Sequence, residues 1–256
     1  MITDWLIRTQ LLIGEESLKT LTQSNVLIVG MGGVGSYAAE FICRAGIGKM
    51  TIVDGDVVDR SNRNRQLPAT FSTEGKDKVE IMKARLLDIN PQLNLTVIKE
   101  FIIPEKIKDL LSKQTFDYVI DAIDSLTPKL YLIATAYQQK IPIISSMGAG
   151  GKLDPTKLQV SDISKTHKCK LAKFVRKRLR SKFKIKKGIK VVYSTENVIE
   201  NSLQMTDGSN FKKSYYGTIS YLPAAFGGVC ASVVVQDLIQ KQKIGEFKSQ
   251  MQLYYG

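Results

Sequence analysis

A chain of 256 residues, 43% of them hydrophobic and 24% charged, has the makeup of a soluble protein of one large α/β domain or two small ones. Its three cysteines, Cys43, Cys169 and Cys230, stand far apart with no CxxC, which excludes a disulfide framework and a four-cysteine zinc site and favours a reducing, cytoplasmic setting. The formal net charge of +13 sits in one place: 165-KTHKCKLAKFVRKRLRSKFKIKKGIK-190 holds 13 Lys and Arg and no acid, while the other 24 basic residues match 24 acidic ones.

Asp4 and Arg8 interrupt any apolar run at the start, so no signal peptide is expected there. Strands are predicted at 25-NVLIVG-30, 49-KMTIVD-54, 94-NLTVIK-99, 117-DYVIDA-122 and 141-IPIISS-146. Helices are predicted between them over 34–45, 76–89, 105–113 and 127–139. This alternation implies a Rossmann-like, doubly wound α/β fold: a mainly parallel sheet with helices on both faces. Further along come strands at 158–163 and 189–194, a polar loop over 196–217 and an apolar helix over about 222–240. Within the basic block Leu171, Val175, Leu179 and Phe183 recur every four residues, so a helix there buries that stripe and shows its charges. The expectation is a single domain over 1–256, with a nucleotide-binding half (1–150) and an elaborated half for substrate, RNA and dimer contacts (151–256).

The stretch from 214 to 236 carries no charge, but Pro223, Gly227 and Gly228 interrupt it. A helix buried against the sheet explains it better than a membrane span, and no membrane association is expected. A single-sign block as dense as 165–190 fits a polyanion such as nucleic acid, with a solvated helix face as the alternative. Lys173, Arg176, Lys177, Arg178 and Arg180 are its candidate RNA contacts.

Gly30, Gly32 and Gly35 in 30-GMGGVGS-36 follow a strand and open a helix, the spacing of a phosphate-binding turn. Asp54 ends the next strand and suits ribose hydroxyls. This much would fit NAD. The Arg and Lys that follow, in 61-SNRNRQ-66 and at Lys76 and Lys78, serve a departing or transferring phosphate, which hydride transfer lacks. Asp121 and Asp124 end the fourth strand, where a carboxylate beside phosphates suits Mg2+.

These residues resemble the ubiquitin-activating-enzyme-like adenylyltransferases, whose members join a carboxylate to ATP. The resemblance rests on GMGGVGS, the Asp54 strand end, SNRNRQ, Lys78 and Asp124. It implies Gly32 and Gly33 along the nucleotide, Asp54 on the ribose, Asn62, Arg65 and Lys78 on the phosphates, and Mg2+ at Asp124. It further implies a homodimer in which Arg8 reaches the partner's phosphate.

Within that superfamily, 148-GAGGKLDPTKLQVSD-162, the basic helix and 193-YSTE-196 are similar to the tRNA threonylcarbamoyladenosine dehydratases. That branch implies ATP-dependent, ligase-like cyclisation of the threonylcarbamoyl group on the adenosine 3′ of the anticodon. The carboxylate is adenylated, an internal oxygen attacks, and water is lost overall. The branch also implies a sulfur-mobilising partner of the cysteine desulfurase or sulfur-acceptor kind.

Three other readings stay open: an activator of a ubiquitin-like sulfur carrier, an NAD-dependent oxidoreductase, and a non-catalytic nucleotide-sensing RNA binder. The first lacks its CxxC pairs, and the second leaves Arg65, Lys78 and Asp124 unexplained. His167 is read as a surface or RNA-facing residue, and Cys43 and Cys230 as core. Cys169 is a thiol in a lysine-rich setting with no required role, and Trp5 is an anchor for the N-terminal arm.

Overall fold

The computed structural model describes residues 4–205 and 214–255. Its strands are β1 Asn25–Val29, β2 Lys49–Val53, β3 Asn94–Ile98, β4 Tyr118–Asp121, β5 Ile143–Ser146, β6 Leu158–Asp162, β7 Lys190–Ser194, β8 Leu203–Met205 and β9 Ser214–Tyr216. Its helices are α1 Ile7–Ile13, α2 Glu15–Gln23, α3 Gly35–Arg44, α4 Lys78–Ile89, α5 Pro104–Lys113, α6 Leu126–Gln138, α7 Lys170–Phe183 and α8 Tyr221–Tyr255.

The first seven strands form one sheet in the order β3-β2-β1-β4-β5-β7-β6. Every neighbouring pair is parallel except β6–β7. The fold is thus the predicted doubly wound, mainly parallel α/β sheet, and β6 and β7 extend the sheet begun in the first half. The inner strands are buried nearly throughout because both faces of the sheet are covered, while β3 and β6 at its edges are partly exposed. Val26 and Ile28 of β1 enter one core with α2, α3, α4 and α8, whereas Leu27 and Val29 enter the other with α5, α6 and α7.

Three regions differ from expectation. Two short N-terminal helices, α1 and α2, precede the sheet. The buried anchor of this segment is Leu6, 3% exposed, rather than Trp5, 42% exposed. The stretch 196–217 is no simple polar loop, because β8 and β9 pair antiparallel within it. The last helix runs on to Tyr255. Over Tyr221–Gln242 it is long and apolar enough to cross a membrane by length and composition. Its Leu222, Phe226, Cys230, Val234 and Leu238 nevertheless recur every four residues and lie in the core against the sheet.

The basic helix forms as its periodicity requires. Ala172, Val175 and Leu179 of α7 are buried, with Leu171 and Phe183 packed partly against them. Burying Val and Leu side chains of this size stabilises by about 1.5–3 kcal/mol each, enough to seat a helix of this charge. Lys184 ends it in the left-handed conformation, φ +60°. Cys43 and Cys230 are core residues, as expected, and burial pushes their thiols up to about 11 and about 12. Cys169 joins them in the core despite its lysine-rich neighbours in sequence.

Candidate active site

The strand order reverses between β1 and β4, which makes their carboxyl ends the crevice of this fold. The glycine turn fills one side. Gly30 has φ +95°, and a Cβ there would stand 2.8 Å from Ala122 O. A Cβ on Gly35 would fall 1.7 Å from Gly30 O, so no side chain is possible where α3 meets β1. Gly32 differs: a Cβ would meet only Gln66 Nε2, at 3.8 Å. Its backbone borders open space, the property a phosphate cradle needs. Gly33 backs onto Pro223 at the start of α8 and onto Arg65 O.

Asp54 closes the turn from the β2 side. Its Oδ2 accepts from Met31 N at 2.5 Å and its Oδ1 from Asp56 N at 2.7 Å. Burial holds its carboxyl above the ordinary value, opposed by the Lys78 charge and these two N–H groups. Lys78 opens α4 and is 4% exposed. Its ammonium donates to Asp56 Oδ2 at 2.9 Å. Asn62 is buried in a capped turn, where its Oδ1 accepts from Asp59 N at 3.2 Å.

Arg65 donates to Ser61 O at 2.9 Å and to Asn64 Oδ1 at 2.7 Å. Burial lowers its pKa, while the charges of Asp124 first and Asp59 second raise it. Asp124, exposed in the loop after β4, therefore shares a field with Arg65. Asn64 Nδ2 donates to Thr218 O at 2.8 Å, so the segment before α8 closes over this loop.

The two aspartates that end β4 separate. Asp121 is fully buried, and Lys129 Nζ and Ser145 Oγ donate to its Oδ2. It is a structural ion, not a second metal carboxylate. Arg8 is not at the turn of its own chain. Leu6, two residues earlier, packs on Gly46 before β2, at the opposite end of the strands, and a five-residue strand spans about 17 Å.

The wall beyond β5 explains two sequence motifs. Glu196 accepts from Leu153 N and Asp154 N, which ties YSTE to GGKLDPT. Lys152, 2% exposed, donates to Ser194 O at 3.0 Å. Gly148 lies next to Leu171, so the basic helix starts at this same edge of the sheet. Lys173, Lys177, Arg178 and Arg180 are exposed. Arg176 is not their equal: its Nη1 donates to Thr166 O at 2.9 Å, to Ile163 O at 3.3 Å and to Thr166 Oγ1. It holds the corner before α7, a structural role that the sequence reading did not foresee. His167 lies at the surface beside Tyr193.

The ThiF family profile matches residues 7–255, nearly the whole chain. The chain belongs to the ThiF family. Among relatives, the tRNA threonylcarbamoyladenosine dehydratase of Bacillus subtilis is 42% identical over 248 residues, 94% of this chain and 97% of the relative. The solved structure of the Escherichia coli tRNA N6-threonylcarbamoyladenosine dehydratase in complex with ATP superposes with a TM-score of 0.85. It is 37% identical and covers 95% of this chain and 98% of its own. By contrast, the Escherichia coli molybdopterin-synthase adenylyltransferase, also 34% identical, matches only 52% of this chain and 51% of itself. The likeness to sulfur-carrier activators therefore spans about half of the chain, and the likeness to the dehydratases spans nearly all of it. In this ThiF-family chain the glycines, Asp54, Arg65, Lys78 and Asp124 are the candidates that the sequence already singles out. Asp56, Asn64, Lys152 and Glu196 were missed, and only the co-occurrence of GGKLDPT with YSTE hinted at the last two.

Proposed function

We propose that this protein carries out ATP-dependent dehydration of N6-threonylcarbamoyladenosine beside the tRNA anticodon. The observation that carries the reading is a linked set of charges at the glycine turn: Asp54 accepts from Met31 N within the turn and feels the Lys78 charge, and Arg65, whose carbonyl lies against Gly33, shares a field with Asp124. Two cations and a carboxylate at one crevice suit charge moving onto departing phosphates.

In this reading Asp54 takes the ribose, Gly32 N–H lies along the phosphates, and Arg65 and Lys78 hold their oxygens. A single carboxylate, Asp124, suits Mg2+, which keeps several waters and takes further oxygens from phosphate; when bound, it neutralises charge on those oxygens. The threonyl carboxylate attacks the α-phosphorus and pyrophosphate leaves. Internal attack on the acyl-adenylate then closes the ring as AMP leaves, carrying the oxygen that is formally lost as water. Ring closure within one substrate needs no protein nucleophile, in keeping with three buried thiols.

The reading includes a homodimer. Helix α1 buries no residue, and Leu11 and Leu12 are 82% and 85% exposed, a surface that a second copy would cover while bringing Arg8 to its partner's site. It also includes a cytoplasmic location, in line with unpaired cysteines, and a sulfur-mobilising partner on family resemblance alone.

The test is pyrophosphate release with threonylcarbamoylated tRNA, with a ubiquitin-like sulfur carrier, and with neither. Release with the tRNA alone, and a product lighter by one water, is expected. Release only with the carrier would overturn the reading in favour of a carrier adenylyltransferase.

A further inference from the structure

The loop that follows β2 builds a second basin. Arg60, Arg63, Phe71 and Glu74 line about 450 Å3 of open space. Phe71 is 84% exposed, and the Arg63 guanidinium stands 5.8 Å from its ring centre. Arg60, Phe71 and Glu74 lie outside the motifs assigned to the adenylating centre, and Arg63 is the SNRNRQ arginine that turns toward Phe71. Yet Arg60 and Arg63 share their turn with Asn62 and Arg65, so the basin borders that centre.

The platform is built and held. Asp59 Oδ1 accepts from Ser61 N at 2.8 Å and caps the turn that carries Arg60. Thr70 N donates to Thr73 Oγ1 at 2.8 Å and caps the turn that starts at Phe71. Thr73 Oγ1 donates to Pro68 O at 2.7 Å, and Gly75 N donates to Val58 O at 2.9 Å. An exposed ring on such a base loses little freedom when a ligand covers it.

The chemistry selects the ligand. A ring face accepts a base, guanidinium groups pair with phosphate and also stack, and a rim carboxylate accepts from an exocyclic amine. An inorganic anion would be repelled by Glu74 and would leave Phe71 in water. A double helix hides the faces of its bases. A nucleotide of single-stranded RNA uses all four residues.

We propose that the basin holds an unpaired nucleotide of the tRNA anticodon loop that flanks the modified adenosine, with its base on Phe71 and its phosphate at Arg60 and Arg63. This rests on the dehydratase reading. Holding the neighbouring nucleotide outside the crevice would pull the modified one out of the loop stack and into it.

The test uses the full-length protein and synthetic anticodon stem–loop RNA, read by fluorescence anisotropy at several salt concentrations. Phe71→Ala should weaken binding about 5- to 150-fold without changing the salt slope, because no charge is removed. Phe71→Trp should retain affinity, and Arg63→Gln should make the slope shallower by about one unit. At one loop position an abasic nucleotide should weaken the wild type as much as Phe71→Ala does, with no further loss in that variant. ATP affinity should stay the same in both Phe71 variants. Unchanged RNA affinity in Phe71→Ala, or no loop position coupled to it, overturns the inference while leaving the dehydratase reading intact. A wild-type protein that binds neither stem–loop nor whole tRNA overturns both.

Discussion

Lys129 Nζ lies 2.7 Å from Asp121 Oδ2, and neither side chain reaches solvent. Lys129 also donates to Ser146 O at 2.9 Å, and Asp121 Oδ1 accepts from Ile123 N at 3.1 Å. The pair thereby stitches β4, β5 and α6 together beneath the loop that carries Asp124. Removing one partner strands a buried charge. Lys129→Met should therefore cost about 3–5 kcal/mol, whereas Asp121→Asn combined with Lys129→Met should recover much of that loss. Urea unfolding of both variants measures it; a single variant as stable as the wild type would refute the argument.

Asp124 lies in the exposed loop above that pair. Asp124→Ala should abolish Mg2+-dependent adenylate formation while leaving the unfolding midpoint within about 0.5 kcal/mol of wild type, as for most surface changes. Pyrophosphate release titrated with Mg2+ reads the effect. Near-normal activity would remove the metal from Asp124.

Leu6 anchors the N-terminal segment at the end of the sheet away from Lys78, so in the homodimer proposed above the defects of Arg8 and Lys78 should complement. Arg8→Ala and Lys78→Ala chains should each be inactive as pure dimers. Mixed dimers should regain part of the activity, since one of their two sites keeps both residues. Mixed dimers that form and stay inactive would mean that Arg8 does not act across the interface.

On α7, exposure divides the basic residues into two groups. Replacing Lys173, Lys177, Arg178 and Arg180 with Gln should weaken tRNA binding and leave ATP binding alone. The slope of log affinity against log salt should become shallower by up to about three or four units, at about 0.9 per phosphate contact on duplex-like segments. Arg176→Gln should leave that slope alone and lower stability, because its hydrogen bonds go to Ile163 and Thr166.

Cys169 is buried in the second core, near Lys152 of the site wall. Cys169→Ala should keep the dehydratase rate within about twofold, given that ring closure uses no thiol. A loss of turnover with ATP affinity and stability intact would assign the thiol a chemical role.

How much of this was legible in the sequence follows from how local each cause is. The strands were legible because two-sided burial writes itself as an apolar run, and the glycine turn because Gly30 and Gly35 are sterically obligatory. Helix α1 was not, since it buries nothing that could set a period. Asp121 and Asp124 look alike in DAIDS; only the approach of Lys129 and Ser145 from other elements divides them. Arg176 was hidden for the same reason, because in RKRLR nothing local marks the one arginine turned toward Thr166.

The route of the chain from β6 to β7 has a wider consequence. The two strands are antiparallel neighbours, and Ile163 N donates to Ile189 O at 2.8 Å, so the basic segment leaves and re-enters the sheet at a single point. It is an insertion in a hairpin. Its outward charge can change without moving the strands that carry Gly30, Asp54 or Asp124, so long as the buried stripe of α7 is kept. Nearly all of the protein's net charge thus sits on one inserted segment whose apolar stripe is anchored in the core, and selection can retune the grip on a polyanion through its outer face while the chemistry next to it stays unaltered.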